Sequence, residues 1–357
     1  MSERVFVAMS GGVDSSVAAA ILAERGEDVV GVWMRLVPPG SDSDAPRCCG
    51  TDEAGEDARR AAAVLGIPFY ALDYADVFGR RVVDHFVNAY AAGETPNPCV
   101  SCNQHVKFDA LLGDVVRKFG GTRLATGHYA RVAAKGDQRR LLKARDRAKD
   151  QSYALYMLGQ RELRRLEFPI GELADKAETR AIAARFALPT ATKAESMDIC
   201  FAPGDYRELV RSRAPEAFAP GPVERIDGEV IGTHGGIGAL TVGQRSGVGV
   251  ATGERLYVLQ LDLDRRAAVV GTRSEVTTTT YALDHVSFVA GEPPSARFAT
   301  DVVLRYRGIA LAATVDVRER QATLHLDAPA LVAPGQAAVF YDGDEVVGGG
   351  VVARDIR

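Results

Sequence analysis

Ser10-Gly11-Gly12-Val13-Asp14-Ser15-Ser16 decides how this chain is read. It follows the apolar run 5–9 and opens a helical pattern in which Val17, Ile21 and Leu22 recur on one side. Glycines let a backbone come close to a phosphate, and the amides at a helix start offer donors at the positive end of its dipole. The lysine of a Walker-type loop is absent, which counts against a kinase or GTPase. An ordinary glycine turn would not need glycines, serines and an aspartate at one strand-to-helix junction.

Working outward, strand-like and helix-like stretches alternate. Residues 29–34 form a second apolar run, with Gly26 where a helix C-cap glycine belongs. Residues 35–50 read as a loop, 51–65 as an alanine-rich helix ended by Gly66, and 67–72 as a third strand. A helix over 76–92, a proline-broken loop, a helix over 108–119 and a short strand at 124–126 follow. That alternation predicts a parallel sheet covered on both faces, with ligands outside the carboxyl ends of its strands. Around 202–222 the periodicity fails and prolines cluster, so a boundary is expected there; 233–253 is glycine-dense. Short alternating runs then recur at 299–306, 310–317, 321–326 and 337–341, the last joined by Asp342-Gly343 to 346–352. An Asp-Gly step is a hairpin signal, and such spacing predicts a small antiparallel β-barrel. The expected domains are an α/β catalytic domain over 1–202, a small glycine-rich central domain over 203–275, and the barrel over 276–357.

The 357 residues are 46% hydrophobic and 25% charged, values that exclude a largely disordered or fibrous chain. No run of about 18 apolar residues predicts a membrane span, and the polar start is too short for a signal peptide. A soluble, cytoplasmic protein is expected. Forty-three basic against 47 acidic residues, net −4, disfavour a surface that grips nucleic acid everywhere. A local basic face remains open: residues 131–165 hold 11 basic and 4 acidic side chains.

Five cysteines are an odd count for a cytosolic chain, so thiol or metal chemistry outweighs structural disulfides. Cys99 and Cys102 lie in Gly93-Glu94-Thr95-Pro96-Asn97-Pro98-Cys99-Val100-Ser101-Cys102-Asn103, where two prolines should hold the loop extended. Cys200 ends Ser196-Met197-Asp198-Ile199-Cys200 and precedes Phe201; Cys48-Cys49 is a vicinal pair. A thiolate is the strongest side-chain nucleophile near neutral pH, whereas a lone cysteine is as often a small buried hydrophobe.

The glycine-serine loop resembles the pyrophosphate loop of the ATP-pyrophosphatase superfamily, whose members adenylate a substrate. Together with Gly93–Asn103, Val106-Lys107-Phe108, Ala125-Thr126-Gly127-His128-Tyr129-Ala130-Arg131, Lys149-Asp150-Gln151-Ser152-Tyr153, Ile199-Cys200-Phe201, Thr241-Val242-Gly243-Gln244-Arg245-Ser246-Gly247 and Pro334-Gly335-Gln336-Ala337-Ala338-Val339-Phe340-Tyr341, it resembles the bacterial tRNA-specific 2-thiouridylase family. These runs cover nearly the whole chain in order.

The resemblance implies an adenine-nucleotide alpha-hydrolase-like N-terminal domain and a two-stage reaction on the wobble uridine of tRNA. ATP adenylates O2; a cysteine persulfide then supplies sulfur and AMP leaves. Cys102 matches the family's nucleophile and Cys200 its persulfide carrier, with a transient disulfide between them as one route. Ala8, Met9, Ser10, Gly11, Gly12, Val13, Asp14, Ser15, Met34 and Gly127 are implied for ATP, and Asn97, Pro98, Cys99, His128, Lys149, Asp150, Gln151, Arg305, Tyr306 and Gln336 for tRNA. Asp14 suits Mg²⁺, since a hard cation prefers carboxylate and phosphate oxygens. Tyr306 and Arg305 could replace stacking lost when a uridine leaves its stack. The implied partner is a persulfide donor, a sulfur-relay protein or a cysteine desulfurase. Cys99 stands where one common form of the pattern has aspartate, giving Cys-x-x-Cys. That keeps an iron–sulfur or metal-binding protein regulated by nucleotide in view, beside a 4-thiouridine or lysidine synthetase.

Overall fold

Val5, Phe6, Val7 and Ala8 are all buried, as expected of a strand with helices on both faces. In the computed structural model, which describes residues 3–38, 50–194, 199–202, 204–250, 253–276 and 278–354, they form β1 (Arg4–Ala8). Cys48-Cys49 and residues 196–198 lie outside the described residues. β1 runs parallel to β2 (Asp28–Arg35) and to β4 (Arg123–Thr126); β2 pairs with β3 (Phe69–Asp73), and β4 with β7 (Leu166–Glu167). The sheet order is β3-β2-β1-β4-β7. Phe6 and Ala8 enter one core; Val5, Val7 and Met9 enter the opposite one, with α1 (Val13–Glu24) and α2 (Asp52–Val64).

One local expectation is corrected, and two elements stand that the sequence reading does not name. Pro98 does not hold the cysteine loop extended: it opens the helix Pro98–Cys102, capped by Asn97, whose side chain accepts from the Cys99 amide at 3.0 Å. Proline suits the first helical position, where no donor is needed. The helix continues through the π-helical Asn103–Leu111 into Leu112–Arg117. The stretch around 202–222 holds the helix Tyr206–Arg213, whose Tyr206 and Val210 pack against Phe86 and Tyr90. A strongly charged helix buried on one narrow side has little apolar periodicity to read. Beyond the alternating strands and helices of the first 130 residues, β5 (Ala130–Lys135) and β6 (Gln138–Lys143) form an antiparallel hairpin.

The central region is a four-stranded sheet, with β8 (Gly221–Arg225), β9 (Val230–His234), β10 (Tyr257–Asp262) and β11 (Ala267–Gly271) in the order β10-β11-β8-β9. The last strands are β12 (Thr280–Phe288), β13 (Arg297–Val303), β14 (Ala310–Arg318), β15 (Gln321–Leu326), β16 (Ala337–Asp342) and β17 (Glu345–Val352). They run antiparallel in the order β12-β15-β14-β13-β16-β17, and pairing of β12 with β17 closes the barrel. β6 pairs with β17, setting Leu142 opposite Glu345 and Leu141 opposite Val346. One apolar cluster accordingly runs from Phe6 and Cys102 to Val339 and Val346. Among the described residues no helix is long and apolar enough to cross a membrane.

Candidate active site

Gly11 has φ +75°, a left-handed conformation that favours glycine, and a Cβ there would lie 2.1 Å from the Ala54 carbonyl oxygen on α2. The loop is therefore pressed against a second helix as well as opening its own. Ser15 and Ser16 are buried and act within the loop: Ser15 Oγ accepts from the Ser10 amide at 3.0 Å and donates to the Gly12 carbonyl at 3.2 Å. Ser16 Oγ donates to the same carbonyl at 2.9 Å. Met9 is sunk in the core on the α1 side, while Ala8 and Met34 adjoin the opposite core. Gly127 follows β4, and a Cβ there would stand 2.5 Å from the Ser15 backbone nitrogen. Its bare backbone lets the end of β4 seat against the first turn of α1.

Two lysines that no motif announced converge on the loop. Lys176 Nζ donates to Asp14 Oδ1 at 2.6 Å, and the Tyr129 hydroxyl donates to the same oxygen at 3.1 Å. Lys193 Nζ donates to the Gly11 carbonyl at 3.1 Å and to Asp57 Oδ2 at 2.5 Å. They stand 162 and 182 residues from their partners on the loop, so sequence spacing carried no signal. Together they bring the positive charge that a Walker lysine supplies locally, on groups that could face a triphosphate. Asp14 is the carboxylate of the loop whose oxygens suit a divalent cation, and it is held by Lys176 and Tyr129.

The helix directs Cys102 into the core, at 9% exposure, while Cys99 three residues earlier faces outward. Cys200 and Phe201 are half-buried against the core that holds Cys102. Cys99 keeps exposed surface yet is crowded by protein atoms. That crowding, then the Cys200 thiol, pushes its pKa up, and Lys107 opposes. Cys99, Cys102 and Cys200 are all thiols, so the disulfide implied by the resemblance is not a standing bond of this fold. Among the described residues no group of three or more His, Cys, Asp or Glu side chains could hold a metal ion, which gives the iron–sulfur expectation no support.

His128 joins the cysteines to the loop. It is buried; its Nδ1 lies 2.5 Å from Thr126 Oγ1 and its Nε2 lies 3.5 Å from Lys107 Nζ. Burial first, then the Lys107 charge, hold its pKa well below the usual histidine range. With a lysine donor facing Nε2, the ring proton belongs on Nδ1, donating to Thr126. Gly127 thus touches the nucleotide loop, and the next residue touches the cysteine helix.

Lys149 is half-buried in the turn after β6, its amide donating to the Asp146 carbonyl at 3.2 Å, and the remaining residues implied for tRNA divide into two groups. Asp150 and Gln151 act within the fold: Asp150 accepts from Ala144 N at 2.8 Å and Ser152 Oγ at 2.7 Å, and Gln151 Oε1 accepts from Tyr129 N at 3.0 Å. Burial pushes the Asp150 carboxyl up. Gln336 Nε2 donates to the Thr95 carbonyl, and Thr95 N donates to the Pro334 carbonyl at 2.7 Å, tying the barrel to the segment before the cysteines. Arg305 and Tyr306 are exposed on the turn after β13; the Tyr306 ring lies 6.2 Å from Tyr153, and Arg307 lies over it at 5.4 Å. The basic stretch is partly neutralised. Arg131 and Arg147 pair with Asp344, Arg140 with Glu345, and Arg145 with Glu172.

Three family models match the chain: a tRNA methyl transferase HUP domain over residues 3–204, a tRNA methyl transferase PRC-barrel domain over 208–272, and an aminomethyltransferase beta-barrel domain over 278–352. The tRNA-specific 2-thiouridylase MnmA of Roseiflexus castenholzii is 46% identical over 371 residues, spanning 99% of this chain and 100% of its own. That of Chloroflexus aurantiacus is 46% identical over 355 residues, spanning 98% of each. A solved 4-thiouridine synthetase in complex with RNA and ATP is 15% identical, with a TM-score of 0.34, over 60% of this chain and 51% of that one. A predicted subunit of tRNA methyltransferase from Methanocaldococcus jannaschii is 16% identical, with a TM-score of 0.27, over 64% and 82%. The two 2-thiouridylase relatives, by contrast, match over nearly the full length of this chain.

Proposed function

The chain belongs to the tRNA-specific 2-thiouridylase family, and from that premise we propose that it replaces O2 of the wobble uridine of tRNA by sulfur. The first step is attack of uridine O2 on the α-phosphorus of ATP, with pyrophosphate leaving. The glycine loop with Lys176 and Lys193 is suited to the phosphates, and Asp14 to the Mg²⁺ that travels with them. Adenylation turns a poor leaving oxygen into AMP.

Sulfur arrives on Cys200 as a persulfide from a donor protein. Its terminal sulfur attacks C2 and the C2–O bond to AMP breaks. Cys102 thiolate then attacks the Cys200 sulfur, the S–S bond breaks toward the base, and a Cys102–Cys200 disulfide remains for an external thiol to reduce. If Cys102 instead attacks the persulfide first, hydrogen sulfide is the nucleophile and the same disulfide results. In this reading residues 1–202 carry the chemistry, and the barrel over 276–357 offers Arg305 and Tyr306 to the RNA. The setting is the cytoplasm, where thiols stay reduced.

One observation carries the reading: Gly127 packs on the nucleotide loop while neighbouring His128 meets the cysteine helix through Lys107. An activated base formed at the loop is thus a short way from thiols. The matching models are described as methyl transferases, and the two chemistries leave different products.

The test is a reconstituted reaction of protein, unthiolated tRNA, ATP-Mg²⁺ and a persulfide donor, with digested nucleosides read by mass spectrometry. We expect 2-thiouridine and pyrophosphate from the wild type. Cys200→Ser should release pyrophosphate and make no 2-thiouridine, because the carrier acts after activation. Loss of pyrophosphate release in a folded Cys200→Ser variant would overturn that order, and a methylated uridine would overturn thiolation.

A further inference from the structure

Lys107 has no task in the reaction as written, yet its surroundings are unusual. Its ammonium donates to Asn103 Oδ1 at 2.9 Å and lies 3.5 Å from His128 Nε2. Both partners are held in place. Asn103 is 1% exposed and donates to the Ala154 carbonyl at 2.8 Å, and His128 is fixed by Thr126. Neither partner is an anion, and among the described residues no carboxylate pairs with this half-buried lysine. Helical side chains lean toward the N-terminus of their helix, so a lysine one turn beyond Asn103 reaches back toward the turn bearing Cys99 and Cys102. A partly buried cation that no carboxylate of the described residues neutralises is costly, and costs least when an anion comes to it.

We propose that Lys107 is a positioning residue for sulfur transfer, its ammonium favouring the anionic form of a thiol or persulfide in the cluster of Cys99, Cys102 and Cys200. This rests on the thiolation reading. Anchored by Asn103 and His128, the charge is set before sulfur arrives and needs no rearrangement as negative charge moves from sulfur to the departing AMP. Among the described residues, His128 on the turn after β4 meets this ammonium, and Cys99 feels both it and the Cys200 thiol.

The experiment is alkylation of the whole protein by iodoacetamide across pH, without tRNA or ATP, with each cysteine peptide quantified by mass spectrometry. Removing the cation should favour the neutral thiol. Lys107→Met should therefore raise the alkylation midpoint of Cys99, or of whichever cluster thiol faces it, by about 1 pH unit. Lys107→Arg should stay near wild type. Lys107→Gln, which keeps a donor for Asn103, gives the same reading should the methionine variant not fold. Unchanged midpoints in both neutral variants would overturn the proposal; if AMP binding weakened at the same time, the cation would belong to a phosphate. The titration needs no substrate, so a wild type that made no 2-thiouridine would sink the thiolation reading without obscuring this result.

Discussion

His128 lies buried beside an ammonium group, and both circumstances keep its ring neutral. Its folded pKa is depressed below the ordinary value near 6.5, so the unfolded chain takes up a proton that the folded chain refuses. Stability must then fall as pH drops through about 6.5, at up to about 1.4 kcal/mol per pH unit from this one group. Thermal melts at about pH 7.5 and 5.5 should show a smaller loss in His128→Asn than in the wild type; equal losses would show that the ring is not held neutral. The sequence shows a histidine at a strand end in a matching run. Its neutrality is not legible there, because Lys107 reaches it from a different element. The lysines on the nucleotide loop are hidden for the same reason. Cys99 is legible as a departure from the pattern, and its closeness to Cys200 is not.

At the scale of elements, the helix from Pro98 shows how a local signal is misread. Asn-Pro reads as a loop because proline excludes itself from helix interiors, yet the pair is also a cap followed by a first helical residue. The choice between those readings belongs to the packing of Cys102 and Val106 into the core. In the sequence Gly127 belongs to a run implied for ATP, and its surroundings show that it also makes room for the first turn of α1. Gly127→Ala should push that turn away, costing about 1–3 kcal/mol in a denaturant titration and lowering pyrophosphate release in the same variant. Wild-type stability with full release would mean the loop has slack that its close backbone packing does not suggest.

For the whole molecule, the decisive joint is β6 against β17, with Gln336 and Pro334 on Thr95 as a second tie. The joint also consumes charge. The sequence over 131–165 suggests a strongly basic face, but the joint brings Asp344 and Glu345 of the barrel onto Arg131, Arg140 and Arg147. tRNA binding should still weaken steeply with salt, through the arginines and lysines left over and through Arg305. Asp344→Asn frees Arg131 and Arg147 of their carboxylate, so it should tighten tRNA binding at low salt. The slope of log K against log salt should steepen by about 0.7–0.9 for each further phosphate that the freed arginines neutralise. Stability should change little, since exposed ion pairs contribute about 0–1 kcal/mol. An unchanged slope in a binding titration would place the RNA elsewhere.

The sequence by itself determined the parallel sheet, the glycine loop at the end of its first strand, the barrel strands and the matching runs that mark the family. These are written locally: strand periodicity, turn residues and glycine positions act within a few residues of chain. Only the tertiary structure decided that Lys176 and Lys193 come to the loop, that Lys107 of the cysteine helix meets His128, and that barrel acids partly neutralise the basic hairpin. Those are meetings of side chains far apart in the chain. Their geometry follows from how whole elements pack, and no spacing in the sequence encodes it.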